Sequence, residues 1–421
     1  MLNLLLNAAL QLASPSMPPV LVDGVAPNVL LIILDDIGQE DIDEVYTPSI
    51  DALAHNGIQF HRGYAMPVCA VCRYALMFGR YGESAGSICL GPDVNTPDIN
   101  WPSLPRLFKS AQYNTGLFGK WHLGGNSLGR PWEQTPNLYG YDVARAVVPG
   151  NVEADICQTG FVGSYTDWMR LDDGTLSIET RYNTTVIRNQ FMLWWSNTAG
   201  AKFACLSFQA AHAPFHDPPA VLVPYQPTGG LGYSGNRIRF EKMIISLDVI
   251  LQQISTIVSL NNTYVFLIGD NGTPPNARSP QEPPGRYKGT VYEGGLRVPF
   301  IVAGPGIQPN TLSNSLVSVV DILPTMADLI GTQIAVPDGL SFKSILNDPI
   351  AITRNYVFAS LEHDRAIVQD KYKLIRKDTV EEFYNVLIDP LEQNPIDPLT
   401  INAAIVQSLR DEMTIYLNRG F

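Results

Sequence analysis

The sequence predicts an α/β protein: a mostly parallel central sheet sandwiched by helices, followed by a small C-terminal α+β subdomain. Three observations carry this expectation. Residues 29–34 (VLLIIL) and 264–268 (YVFLI) are continuous apolar runs, not alternating ones, as central strands covered on both faces require. Each run stops abruptly at oxygen-bearing residues, Asp35 and Asp36 after the first, Asp270 and Asn271 after the second. Between them, Ile244, Leu247, Ile250, Leu251, Ile254 and Ile257 recur at helical period, the core stripe of a covering helix. Two buried strands that end this way place a site at the carboxyl edge of a parallel sheet, where open α/β sheets usually bind their ligands.

The remaining elements follow in chain order. Helices are expected over 48–56, 73–78, 103–112 and 239–260. A Pro-rich loop over 272–286 leads from the second acidic strand end to Lys288, and a loop in that place commonly lines a site. Residues 298–302 (VPFIV) read as a further buried strand, closed by Gly304, Pro305 and Gly306, and 321–330 as a helix. From about residue 336 the texture changes to short β-like runs, 366–368 and 372–375, and a helix over 403–417.

The 421 residues are too many for one ordinary core, so the expected division is a leader over 1–26, a large α/β domain over 27–335 and a subdomain over 336–421. With 45% hydrophobic and 16% charged residues, disordered and coiled-coil classes are excluded. A net charge of -12 argues against a nucleic-acid or anionic-membrane partner, so an anionic substrate needs a local cluster of cations. Five cysteines (Cys69, Cys72, Cys89, Cys157, Cys205) are odd in number and few, which argues against a disulfide scaffold. Cys69 and Cys72 form a CxxC with no second CxxC to complete a zinc site.

Residues 1–13 (MLNLLLNAALQLA) are apolar enough for a short secretory segment and 14–19 have room for a cleavage site, although no Lys or Arg precedes the run. Export, periplasmic or secreted, is the expectation this carries; a frayed helix on a cytoplasmic protein is the alternative. Elsewhere no run reaches the roughly 20 apolar residues of a membrane span.

Asp35, Asp36, Asp270 and Asn271 offer hard oxygen ligands, which suit Ca²⁺ or Mg²⁺ and not zinc or copper. Helix capping is the competing use of such residues, and it is the appearance of two pairs, each ending an apolar strand, that favours metal. Cys69 has three readings: a buried thiol, a thiolate nucleophile or redox partner of Cys72, and the precursor of a modified residue. Lys120 and His122, two apart in GKWHLG, would face the same way on an extended segment. His212 in QAAHAP is a candidate for proton transfer, the usual work of a site histidine, with a satisfied loop histidine as the alternative. Glu293 and Arg297, four apart, read as a salt bridge, and Asp248 as a structural polar residue beside the core helix.

Taken in order, PNVLLIILDDIG, CAVCR with the following Gly79, Arg80 and Tyr81, GKWHLG, QAAHAP, FLIGDNG and KGTVYEGGLRVPF resemble the motifs of the type I sulfatases, formylglycine-dependent members of the alkaline-phosphatase-like superfamily. The resemblance covers about residues 27–395 and includes Asp389, Pro390 and Glu392 of a C-terminal DP-x-E turn. It implies a sulfuric ester hydrolase that releases inorganic sulfate from a sulfated small molecule or glycan. Cys69 would be converted to 3-oxoalanine (formylglycine) by a formylglycine-generating enzyme, its partner in maturation. One hydroxyl of the hydrated aldehyde would attack sulfur and displace the alcohol; the other would then expel sulfate as the aldehyde re-forms. Arg73 would hold the hydrate, Lys120 and Lys288 would bind the sulfate, His122 would promote its elimination, and His212 would help protonate the leaving oxygen.

Two positions depart from the pattern: Val71 stands where the motif has Pro and Cys72 where it usually has Ser. A Cys69 to Cys72 disulfide therefore competes with conversion. The runner-up activity is a phosphate or phosphonate monoester hydrolase of the same superfamily. A catalytically silent sulfoglycan-binding protein follows if Cys69 is not converted. Substrate choice would reside in loops 126–135, 218–236 and 272–286, where Trp121, Trp132 and Tyr225 are available for stacking or packing.

Overall fold

The computed structural model describes residues 24–82, 98, 100–123, 132–153, 161–229 and 232–418. The leader up to residue 23, Cys89, Cys157, residues 126–131 of one candidate loop, residues 230 and 231 of another, and the Trp132 side chain lie outside the described residues.

Five parallel strands form the centre of the sheet, in the order Thr263–Gly269, Asn28–Leu34, Lys202–Ser207, Asn114–Lys120, Val143–Val148. The two strands expected from their apolar runs are direct neighbours, with Leu34 opposite Gly269, so the residues that follow each strand emerge side by side. Beyond this centre the sheet turns mostly antiparallel. Phe300–Ala303 and Gly57–Phe60, with the short Thr311–Ser313, extend one edge, and Trp168–Asp172 and Thr175–Glu179 extend the other, making ten strands.

Alternation along Asn28–Leu34 divides the core. Val29, Leu31 and Ile33 join one buried cluster with residues of the helices Cys69–Phe78, Leu104–Ser110 and Ile322–Leu329. Leu30, Ile32 and Leu34 join a second with Pro48–His55, Asn183–Asn197 and Gly235–Ser255. No helix among the described residues is long and apolar enough to cross a membrane.

The helix expected over 239–260 runs over Gly235–Ser255. Its start is fixed by Ser234, whose side chain accepts from the Arg237 N–H, and Ile257 and Leu260 lie in the turns that follow. Asp248 is the structural polar residue it was read as: its Oδ1 accepts from the Ser49 N–H at 2.8 Å and the Ile50 N–H at 2.9 Å, anchoring Pro48–His55. The helix expected over 73–78 begins four residues earlier, at Cys69 itself. Val71, Cys72, Tyr74 and Ala75 are all buried there, so packing extends the helix through the CAVCR segment.

C-terminally, Tyr356–Leu361, Asp364–Gln369, Tyr372–Lys377 and Val380–Asn385 form an antiparallel meander. Ala403–Leu417 covers it through Val406, Leu409 and Met413 against Ile367, Leu374 and Phe383.

Candidate active site

The carboxyl edge of the parallel strands gathers the chemistry. Asp35 and Asp36 follow Asn28–Leu34, and Asp36 turns the chain with a φ of 64°. Its N–H donates to Asp270 Oδ1 at 3.1 Å, and Asn271 Nδ2 donates to Asp36 Oδ1 at 2.8 Å, so the two strand ends are directly tied. Helix Cys69–Phe78 points its first turn at them, with Arg73 one turn beyond Cys69. The Arg73 guanidinium donates to Asp270 Oδ2 at 2.7 Å, to Ser207 Oγ at 2.5 Å and to the Lys120 carbonyl at 3.0 Å, and lies 3.5 Å from Asp35 Oδ2.

Lys120 ends its strand at a register shift. Gly119 makes this shift with a φ of 95°, at a point where a Cβ would stand 1.8 Å from the Ser207 carbonyl oxygen, so no other residue fits. The Lys120 ammonium reaches Asp35 Oδ2 at 2.5 Å and Asn151 Oδ1 at 2.6 Å. Lys288 does the same for the other carboxylate, 2.5 Å from Asp36 Oδ1. His122 departs from the expected extended segment. The strand stops at Lys120 and His122 has a φ of 54°, with its N–H bonded to the Pro149 carbonyl, so a turn brings the ring onto Cys69. Its Nδ1 is 3.3 Å from Cys69 Sγ. His212 Nε2 is 3.7 Å from Asp36 Oδ2, while its Nδ1 lies 2.9 Å from the Ala213 carbonyl and 3.3 Å from Glu153 Oε1.

All ten residues singled out from the sequence therefore meet in one cluster. Asn151, Glu153 and Ser207 are additions. Ser207 carries the same signal as the other strand ends, closing the run FACLS, whereas Asn151 and Glu153 sit in an irregular segment with no periodic or motif signal.

Three carboxylates and three cations share this space, all nearly inaccessible except Lys288. Burial opposes the charge on Asp35, but Lys120, His212, Arg73 and Lys288 outweigh it and hold the carboxyl far below its ordinary range. Asp270 moves the other way, pushed up to about 6 by burial and then by the neighbouring Asp35. Burial raises the Cys69 thiol, and burial together with Lys120 and Arg73 drives the His122 imidazole well down. The pair is thus a neutral thiol beside a neutral imidazole, which argues against the thiolate reading of Cys69. Cys69 and Cys72 are free buried thiols one helical turn apart, not the disulfide that would compete with conversion.

A cation fits this donor set. Asp35 Oδ1 and Asn271 Oδ1 are buried oxygens without a protein partner, the kind of acceptor a bound ion satisfies. Ligand atoms of Asp35, Asp36 and His212, and of Asp35, Cys69 and Asp270, lie within 4.8 Å of one another. The divalent-metal centre expected from the strand ends is thus present as a buried ligand cluster.

Two of the residues available for stacking are used in packing, and one expected salt bridge is replaced by other pairs. Trp121 is buried with its Nε1 donating to Thr135 Oγ1 at 2.9 Å. Tyr225 packs edge-on against Tyr46 beside an apolar cavity between helices Pro48–His55 and Gly235–Ser255. Glu293 and Arg297 do not pair with each other. Glu293–Leu296 is a single helical turn that becomes extended at Arg297, which sends the guanidinium to Glu40. Glu293 instead takes Lys373 Nζ at 2.9 Å and the Tyr64 hydroxyl at 3.1 Å. Lys373 also holds Glu392 of the DP-x-E turn at 3.0 Å, and Glu392 Oε2 accepts from the Glu293 N–H at 2.5 Å.

The model of the Sulfatase family matches residues 27–332. Among curated proteins, the chain is 26% identical over 326 residues to arylsulfatase J of Mus musculus, covering 73% of this chain and 53% of that one. It is 26% identical over 467 residues to the N-acetylgalactosamine-6-O-sulfatase of Bacteroides thetaiotaomicron, covering 88% of this chain and 89% of that one. The chain thus spans about half the length of the mouse relative. Its fold is similar to that of Ps i-CgsB in complex with k-i-k-neocarrahexaose, with a TM-score of 0.79, 23% identity, and 94% and 93% of the two chains covered.

Proposed function

This chain belongs to the sulfatase family, and we propose that it hydrolyses a sulfuric ester of a carbohydrate, using a formylglycine made from Cys69 and a calcium ion held by Asp35, Asp36, Asp270 and Asn271. The observation that carries this reading is the position of Cys69. Its sulfur shares a space of 4.8 Å with the carboxylates of Asp35 and Asp270, and three cations surround that space. The sulfated sugars acted on by the relatives support the choice of substrate class.

When bound, the cation would supply Lewis-acid polarisation and the formylglycine a hydrated aldehyde nucleophile. The chain's own groups do the rest. Asp35, Asp36 and Asp270 balance Arg73, Lys120 and Lys288, and Glu153 beside His212 adds one more carboxylate, so an added divalent ion would leave the site net positive, suited to an anionic ester and to charge developing on its leaving oxygen. Lys120 and Lys288 flank the space and donate to sulfate oxygens. Arg73, immobilised by four acceptors, orients the nucleophile. His122, kept neutral, accepts a proton from the residue at position 69. His212, on the opposite side beside Asp36, delivers one to the departing alcohol.

Val71, Cys72 and Arg73 are buried in the folded protein, so conversion of Cys69 has to precede the packing of its helix. Export, with the apolar segment 1–13 as its signal, fits a sequence of maturation before folding.

Mass spectrometry of the Cys69 peptide, from protein made with and without a co-expressed formylglycine-generating enzyme, tests the nucleophile. An aldehyde at position 69, with sulfate released from an aryl sulfate faster than phosphate from an aryl phosphate, is the expected result. A free thiol in both preparations, or faster phosphate turnover, overturns the reading.

A further inference from the structure

Asp41 lies in the first turn of the short helix Gln39–Glu44, is fully buried, and belongs to none of the site residues read from the sequence. Its carboxylate takes three donors. Oδ2 accepts from the Gly38 N–H at 2.9 Å and from the Thr273 hydroxyl at 2.6 Å, and Oδ1 accepts from Arg237 Nη1 at 2.5 Å. Gly38 stands two residues after Asp36, and Thr273 two residues after Asn271. One carboxylate therefore joins the turn that leaves the first acidic strand to the turn that leaves the second. The approach is close: a Cβ on Gly38 would lie 3.0 Å from Thr273 Oγ1.

Both flanks of this joint are fixed. Arg237 is itself fully buried, donates to the Ala277 carbonyl at 3.2 Å, and is held by Glu241 at 3.0 Å and Glu44 at 2.9 Å. Thr273 in turn accepts, through its carbonyl, the Lys288 N–H at 2.8 Å. Thr273 thus sits between Asn271 and Lys288, and Asp41 determines where it sits. Helix capping explains the contact with Gly38 and nothing else, since a cap needs neither the Thr273 hydroxyl nor a buried arginine.

We propose that Asp41 is a positioning residue that sets the spacing of Asp35 and Asp36 against Asp270 and Asn271 through Thr273, and thereby the affinity of the site for a divalent cation. The inference rests on the cation reading given under Proposed function. Groups that hold metal ligands rather than the metal change affinity about 10- to 100-fold when removed, because the ligands are no longer pre-arranged.

The test is calcium titration of the full chain by calorimetry, on the parent protein, Thr273→Val, Thr273→Ser and Asp41→Asn. Thr273→Val leaves the cap intact and removes only the cross-tie. The expected result is a dissociation constant raised at least about 10-fold in Thr273→Val and restored to near the parent value in Thr273→Ser, with both chains folded in chelator. A parent-like constant in Thr273→Val overturns the inference. If that variant does not fold, Asp41→Asn decides: it keeps an acceptor for Gly38 and loses the charge, and an unchanged constant there overturns the inference equally. A parent protein that takes up neither calcium nor magnesium defeats the cation reading itself, an outcome distinct from equal binding by all four proteins.

Discussion

Stripping and restoring calcium should move the melting temperature by an amount that the site geometry sets. Asp35, Asp36 and Asp270 are buried, Asp35 Oδ1 and Asn271 Oδ1 have no protein partner, and the unfolded chain has no comparable cage. A ligand confined to the folded state stabilises it by RT ln(1 + [L]/Kd), about 2.7 kcal/mol at one hundred times Kd. Unfolding entropy of about 2.1 cal/mol/K per residue gives a chain of 421 residues about 0.9 kcal/mol/K, so the melt should rise by about 3 °C. Asp36→Asn removes one ligand charge. If affinity falls about tenfold, the same calcium concentration yields about 1.4 kcal/mol, roughly half the shift. Scanning fluorimetry of chelated protein, with sodium chloride matched for ionic strength, provides the measurement. No calcium-dependent shift, or an equal one in Asp36→Asn, would refute the assignment of these oxygens to a cation.

Three further outcomes follow from contacts elsewhere. Lys373→Met leaves Glu293 and Glu392 as adjacent buried carboxylates without their shared cation, and should cost about 3–5 kcal/mol in urea denaturation; a loss under about 1 kcal/mol would contradict the structure. Asp248→Ala frees two N–H groups at the start of Pro48–His55 and should cost about 1–2 kcal/mol, with sulfate release per folded molecule unchanged. Glu282 is pushed up to about 8 by burial and then by Asp41 and Glu40. The folded chain therefore binds its proton more tightly than the unfolded chain, so this contribution to stability is complete below about pH 4.5 and is lost as pH rises through about 8. Glu282→Gln should flatten the decline of stability between pH 5 and about 8 expected of the parent; an equally steep decline would exclude Glu282 as its source.

The site was legible because its ligands terminate strands. An apolar run that stops at an acid is visible without coordinates, and Asp35, Asp36, Asp270 and Asn271 were found that way. Strands Asn114–Lys120 and Lys202–Ser207 were not, because NTGLFGK is broken by two glycines and KFACLS holds an apolar run of only FACL between its own polar ends. The missing glycine signal has a reason: Gly119 is there to bend the strand, and the bend gives Lys120 its direction. His122 came to the site through the motif resemblance, and the extended segment expected to turn it the same way as Lys120 is instead a left-handed turn that points its ring at Cys69. Asn151, Glu153 and Asp41 depend on contacts across the fold, between 31 and 232 residues apart for those bonded to Lys120 and Thr273, which no local pattern encodes.

The ion triad of Glu293, Lys373 and Glu392 would also order events during synthesis, because its members lie far apart in the chain. Glu293 is made 80 residues before Lys373, an interval of about 4–16 s at ribosomal rates of about 5–20 residues per second. Until Lys373 emerges, Glu293 lacks the cation that offsets its burial, which would hold back final packing of the segment that carries it. On the proposed reading of Cys69, that delay would leave its segment within reach of a maturation enzyme after its own helix has been translated. Ribosome-bound chains arrested before residue 373 should remain convertible at Cys69, and chains arrested with the C-terminal meander free of the exit tunnel should not.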